Sequence, residues 1–296
     1  MAGIDTSTYA SIQDALRGRT RTLLEDGTIT YLIGWEAGRF EGQASPLILR
    51  SVDDVDKLVF NEYCVHLLAK YPLSDKNIDG VIGVVVRGCD SRGINLALKD
   101  GQIAREKLYL IGVPCKGMVD VATGEELKKC VECTHRNPVI YDELIGDVVE
   151  EVTDEARAGR FADIERLESL SIDERYDFWA EVFTRCIRCR ACRDSCPSCT
   201  CRECFTDQAA MGWQGKESSL AENQNYGITR MFHIGERCIE CGECERVCPV
   251  RLPLMQLNRK IIKDTYELFG EYFAGIDDCT PHPLDHYLLD DVEEFM

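Results

Sequence analysis

No stretch of this 296-residue chain is apolar over the length a membrane helix needs. The longest apolar run, VIGVVV at Val81–Val86, is far below the roughly 20 residues of a span. The opening MAGIDTSTYASIQDALRG lacks a basic segment followed by an apolar one, so no signal peptide is expected, and the expected setting is cytoplasmic. There is no GxxxxGK[ST] and no GxGxxG, hence no direct signal for ATP or a Rossmann-bound dinucleotide. Histidine is scarce. His66, His135, His233, His282 and His286 are scattered, and none pairs visibly with a nucleophile. Positive charge is also short, with 34 Lys and Arg against 52 Asp and Glu and a net charge of −18. Nucleic-acid binding is driven by neutralising phosphates, so this balance argues against it and leaves a basic protein partner open.

Cysteine is abundant, with seventeen residues. In a long chain without a secretion signal, that count points to metal or cluster ligation rather than a disulfide scaffold. Hydrophobic residues make up 45% of the chain, enough for a true core. The length suits about two domains.

The two halves differ in character. Residues 1–150 read as an α/β domain with a small parallel sheet. TITYLIG (Thr28–Gly34), VIGVVVRG (Val81–Gly88) and KLYLIGV (Lys107–Val113) have strand length and composition, and SRGINLALKDGQI, from Ser91, reads as the helix of a βαβ unit. SVDDVDKLVFNEYCVHLLAKYP reads as a second helix, with Ser51 and Asp54 as a weak capping box and Val55, Leu58, Val59, Leu67 and Leu68 facing inward. Residues 151–296 read as mostly α. The acidic stretch from Asp142 to Leu170 reads as a helical, solvated connector. Ser171 and Glu174 then cap a helix that puts Tyr176, Trp179 and Phe183 on one face and runs into Cys186. NRKIIKDTYELFGEYF reads as a further amphipathic helix.

Two runs match C-x2-C-x2-C-x3-C-P: Cys186, Cys189, Cys192, Cys196 with Pro197, and Cys238, Cys241, Cys244, Cys248 with Pro249. Three closely spaced thiolates wrap one cubane while the fourth reaches the neighbouring one. The spacing therefore assigns one 4Fe-4S cluster to Cys186, Cys189, Cys192 and Cys248, and a second to Cys238, Cys241, Cys244 and Cys196. Zinc prefers paired C-x2–4-C halves and fits this pattern poorly. Arg185, Arg188, Arg190, Arg193 and Arg202 alternate with these cysteines, as anionic clusters would favour.

Nine cysteines remain. Cys89 ends one strand and Cys115 the next, at the sheet edge where α/β proteins place ligands. With the CVEC pair Cys130 and Cys133 they make a candidate third 4Fe-4S site; the alternative is buried free thiols. Cys199, Cys201 and Cys204 form C-x-C-x2-C. Three readings stand for them: a fourth cluster with a ligand from elsewhere, exchange with Cys196 as a ligand, or a partner interface. Cys64 and Cys279 read as plain thiols. His135 and His233 sit beside cluster cysteines, where a ring N–H either tunes potentials or is merely structural.

Cys196 and Cys238 are 42 positions apart. With HIGERCIECGECERVCPVRLPL (His233–Leu254), that spacing resembles the α-helical ferredoxin domains of heterodisulfide reductase and succinate dehydrogenase iron–sulfur subunits. VVVRGCDSRGINLALKDGQIAREKLYLIGVPCKGMVD, CVECTHRNPVIYDELIGD and CIRCRACRDSCPSCTCRECF together resemble the beta-subunit family of deazaflavin-reducing hydrogenases and formate dehydrogenases, from about Tyr31 to Leu254. That resemblance implies FAD and a 4Fe-4S cluster in the α/β half. It also implies electron exchange with a catalytic or electron-bifurcating redox subunit in a hetero-oligomeric complex, with ferredoxin as a further partner. The departure is length: the α/β half is short for a complete flavin domain. The candidate flavin contacts are Gly34, Gly38, Arg87, Gly88, Ser91 and Arg92, with Ser91 at a helix N-terminus; ordinary turns and an ordinary cap are the alternative.

The leading expectation is thus an electron-transfer subunit without a substrate site of its own. A flavin-dependent oxidoreductase subunit acting on a deazaflavin or a nicotinamide, and a cluster- or zinc-stabilised interaction module, are the competing readings. The acidic tail DDCTPHPLDHYLLDDVEEFM either docks a partner or frays.

Overall fold

The structure is a computed structural model describing residues 8–74, 77–208 and 210–285. Helix α1 (Tyr9–Glu25) precedes strands β1 (Tyr31–Ala37) and β2 (Ala44–Leu49), and the short α2 (Tyr71–Ser74) precedes β3 (Ile82–Val86). Helix α3 (Gly88–Lys99) links β3 to β4 (Leu108–Gly112), and α4 (Lys128–Val131) leads to β5 (Glu143–Leu144). The strands form one sheet in the order β2-β1-β3-β4-β5. β1, β3, β4 and β5 run parallel, as the uninterrupted apolar runs predict for strands covered on both faces. Every residue of β3 is buried. The wholly parallel sheet expected from the sequence is corrected at one edge, where β2 pairs antiparallel with β1. The connection is too short for a crossover, and Gly38 packs so closely on Gln43 that a Cβ there would lie 2.7 Å from Gln43 Cβ.

The helix expected over Ser51–Pro72 is also corrected. Within it Val52–Lys57 coils as a 3₁₀ turn and Tyr71 and Pro72 open the short α2, and Ser51 accepts a bond from Asp53 N instead of forming a box with Asp54. Val55, Leu58, Leu67 and Leu68 are buried as expected, but the backbone after Leu58 takes its hydrogen bonds elsewhere. Val59 N donates to Trp35 O, Arg87 donates to the carbonyls of Cys64 and His66, and Leu68 N donates to Asp90. Side-chain partners at fixed positions replace the helical ladder.

Arg87 is the centre of this arrangement. It is 1% exposed, pairs with Asp90 at 2.7 Å and stacks 4.7 Å over the Trp35 ring. With Asp90 it also caps α3, which therefore begins at Gly88, one turn before Ser91.

Beyond β5 the chain is helical. The expected connector from Asp142 is only partly so: α5 (Asp154–Gly159) and α6 (Ala162–Glu168) are its helices. Nor is it merely solvated, since Arg160, Phe161, Ile164 and Leu167 are buried. Helix α7 (Ile172–Thr184) has the expected Ser171–Glu174 capping box. Its buried residues are Val182 and Phe183, whereas Tyr176 is 59% exposed. Then come α8 (Ala191–Asp194), α9 (Leu220–Ile234), α10 (Glu243–Arg246) and α11 (Leu254–Phe269). Phe183 lies over Gly227 of α9 so closely that a Cβ would sit 2.1 Å from its ring. No helix among the described residues is long and apolar enough to cross a membrane. The start of the tail is ordered on α3, with Lys99 bonded to Thr280 O and Tyr272 Oη 2.8 Å from His282 Nδ1; its remainder, 286–296, lies outside the described residues.

Arg87→Met is expected to strand Asp90 and two buried carbonyls and to lower stability by about 3–5 kcal/mol. Guanidinium unfolding of the anaerobic protein reads this out; a loss below about 1 kcal/mol contradicts the central role given to Arg87.

Candidate iron–sulfur centres

The two ferredoxin-type motifs fold alike. In the first, Arg188 and Arg190 adopt left-handed backbone angles (φ 49 and 62); in the second, Glu240 and Gly242 do so at the same steps (φ 57 and 65). Each left-handed pair turns the chain sharply between cysteines, and each motif closes in a single helical turn, α8 or α10. The two motifs thus share one backbone path around their first three cysteines.

Cys186, Cys189, Cys192 and Cys248 line one narrow cavity, roofed by Phe183, Tyr226, Leu252 and Leu254. Tyr226 Oη is 3.5 Å from Cys192 Sγ, and Leu252 N donates to Cys248 Sγ. Cys248 of the second motif thus shares a cavity with the first three cysteines of the first motif, and Cys196 of the first motif helps to raise the thiols of Cys238, Cys241 and Cys244. Burial pushes the thiols of Cys238, Cys241 and Cys244 up. A hydrogen bond from Cys199 holds Cys196 below its ordinary value.

A second narrow cavity lies at the carboxyl edge of the sheet and is lined by Cys89, Cys115, Cys130 and Cys133. Cys241, Ile239 and Glu240 of the ferredoxin half form part of its wall. Burial raises all three of Cys89, Cys115 and Cys133, with Cys115 reaching about 12. Thiols so buried resist ionisation in an empty protein, and cationic iron is what makes their thiolate form favourable. His135 also lines this cavity; burial and then Arg92 push it down to about 3, so its ring is neutral. Among the described residues no three His, Cys, Asp or Glu side chains converge as a single metal ion needs. Cys186, Cys189, Cys192 and Cys248 surround one hollow and Cys89, Cys115, Cys130 and Cys133 another, and four thiol donors around a hollow fit a polynuclear cluster.

Buried ion pairs join the halves at this point. Lys129 Nζ, beside Cys130, bonds Glu243 of α10 at 3.0 Å and Val65 O at 2.9 Å. Arg246 also bonds Glu243. Burial alone would raise the Glu243 carboxyl, but Lys129 and Arg246 outweigh it and hold the group well below the usual range. Glu240 accepts from Arg160 at 3.1 Å and from Arg259 at 3.3 Å. These partners were not foreseen from the sequence. The available signal was two glutamates set between cysteines, where an anionic cluster makes a carboxylate unfavourable unless a cation meets it.

The six residues expected to contact a flavin are engaged with the protein itself. Gly34 packs under Leu58 and Gly38 sits in the β1–β2 turn. Arg87 ties the 58–68 segment, and a Cβ on Gly88 would lie 2.3 Å from His135 O. Ser91 donates to Gly88 O and accepts from Val139 N, so its expected place as a helix cap is corrected. Arg92 donates to Ala274 O and Thr134 Oγ1. Arg87, Gly88 and Arg92 line the cysteine cavity.

Cys199, Cys201 and Cys204 line a separate hollow of about 360 Å³. The basic residues nearby are partly committed: Arg188 bonds Gly215 O and Glu217 O, while Arg190 and Arg193 bond Asp207. Cys64 is buried with its thiol pushed up to about 12 by burial, and Cys279 is exposed.

Residues 182–252 match the 4Fe-4S dicluster domain family. The chain is 25% identical over 304 aligned residues to F420-dependent formate dehydrogenase subunit beta of Methanocaldococcus jannaschii, covering 73% of this chain and 78% of that one. It is 27% identical over 118 residues to F420-dependent formate dehydrogenase 1 subunit beta of Methanococcus maripaludis, covering 38% of this chain and 29% of that one. The resemblance to the beta-subunit family holds on these matches.

Cys64→Ala and Cys279→Ser are expected to retain the full iron and sulfide content of the anaerobically prepared chain. Loss of iron from either would contradict their reading as plain thiols.

Proposed function

We propose that this chain, which resembles formate dehydrogenase beta subunits over most of its length, is the iron–sulfur electron-transfer subunit of a larger redox complex. The complex is of the formate dehydrogenase type. Its ligand sets are Cys186, Cys189, Cys192 and Cys248; Cys238, Cys241, Cys244 and Cys196; and Cys89, Cys115, Cys130 and Cys133. Bound 4Fe-4S clusters supply reversible one-electron chemistry.

The chain's own residues do the rest. Buried thiols hold the clusters away from water, and Lys129 with Glu243 keeps the CVEC loop against α10. The observation that carries the reading is Cys241, which belongs to the second set and also lines the cavity of the third. Cys244 of the second set likewise packs in one core cluster with Cys186, Cys192 and Cys248 of the first. Both contacts support a second set lying between the other two, as a relay requires. The catalytic or electron-bifurcating partner and ferredoxin are the partners this role calls for.

A second reading, a flavin-bearing subunit that itself handles a deazaflavin or nicotinamide coenzyme, draws on two observations. The relatives are named as F420-dependent, and an open groove of about 1030 Å³ runs between residues 119–132 and the α10–α11 region.

Anaerobic purification of the native complex, with iron, sulfide and flavin quantified, tests these readings. Electron transfer predicts clusters that take up electrons from dithionite and a co-purifying catalytic subunit. Cys89→Ala is expected to lose about four irons, the content of one cubane. Clusters fixed in one oxidation state contradict the reading, and stoichiometric flavin moves it to the second.

A further inference from the structure

The C-x-C-x2-C segment is left over once three ligand sets are assigned. Cys199, Cys201 and Cys204 do not scatter; all three line the 360 Å³ hollow. His233 of α9 lines it too, its ring edge-on to Phe205 at 5.3 Å between centroids. The fourth donor that the sequence does not reveal is thus present in space.

Five cations line the hollow, Lys70, Arg193, Arg202, Arg230 and Arg237, together with Asp194 and Asp207, both of which pair with Arg193. Two of these cations carry an unusual feature. Arg230 and Arg237 each have a buried Nε with no hydrogen-bond partner, although Arg230 donates through Nη2 to Cys192 O and Arg237 pairs with Asp100. A buried guanidinium N–H without an acceptor is costly; Arg237 borders this hollow and Arg230 lies between it and the cavity of Cys186, Cys189, Cys192 and Cys248, so an anion here would meet both. A net charge of −18 does not explain such a local concentration of cations.

We propose that Cys199, Cys201 and Cys204, with His233 as the fourth donor, hold an additional 4Fe-4S cluster. Three thiolates on a cubane make an anion, which the arginine N–H groups meet through its sulfides. The site adjoins the second set directly, because Cys199 follows Cys196 within one turn, its N–H donating to Cys196 O at 3.2 Å. It is also open to solvent, with Cys201 exposed. This inference rests on the relay reading and adds its outlet: the place where a one-electron carrier meets this chain.

The test uses the full chain, loaded and kept anaerobic, as wild type, C201A/C204A and Cys89→Ala. Wild type is expected to hold about sixteen irons and sulfides, and each variant about four fewer, by the content of one cubane. His233→Ala is expected to keep the irons but change the electron paramagnetic resonance signal that C201A/C204A removes. Unchanged iron in C201A/C204A, or loss of one zinc instead, overturns the proposal. If C201A/C204A fails to fold, wild-type Mössbauer quantification decides: four cubanes support the site, three overturn it when Cys89→Ala lowers them to two. Unchanged iron in Cys89→Ala counts against the third set of the relay reading, not against this site.

Discussion

The contact between Lys129 and Glu243 fixes the geometry on which the rest depends. Both side chains are nearly buried, at 10% and 4% exposure, and each lies one residue from a cysteine. Two isolated charges would not be stable there, so the pair forms only when the CVEC loop and α10 meet. Their meeting places Cys130 and Cys133 in one cavity wall and Cys241 in another. Glu240, held by Arg160 and Arg259, repeats the device one step earlier in the same motif. The glutamates act as anchor points, and their partners come from the α/β half, the connector and α11. The ferredoxin half is therefore built into the sheet half rather than tethered to it.

Helix α3 makes the other joint. Gly93 touches Ala69, Pro197 and Ile239, and a Cβ there would lie 2.6 Å from Ala69. Asn95 and Arg92 bond the backbone at Gly275 and Ala274, fastening the chain after α11 to the same helix. One helix thus follows Cys89 into its site and supports the segment carrying Cys196.

Much of this was legible in the sequence because cysteine spacing is a strong, local signal. That Cys248 lies with the first motif's cysteines, and that Cys89 and Cys115 meet at the sheet edge, follows from motif spacing and parallel-strand topology. The 51–72 segment was misread because its apolar residues are indeed buried while its backbone bonds go to Arg87 and Asp90, which periodicity does not report. Glycine, arginine and serine beside a strand end serve a buried tie and a cysteine cavity here, a role that the sequence pattern alone does not distinguish from ligand contact. The ion pairs were invisible because their partners are separated by 114 residues for Lys129 and Glu243.

The central claim is that the α/β cysteines and the second ferredoxin motif hold adjacent clusters. Spin coupling in the fully reduced, anaerobic chain tests it most directly. Neighbouring paramagnetic clusters give broadened, interacting resonance signals, and Cys89→Ala should simplify that spectrum while leaving the coupling between the two ferredoxin clusters. A wild-type spectrum that is a plain sum of isolated signals, unchanged in shape by Cys89→Ala, would contradict the account.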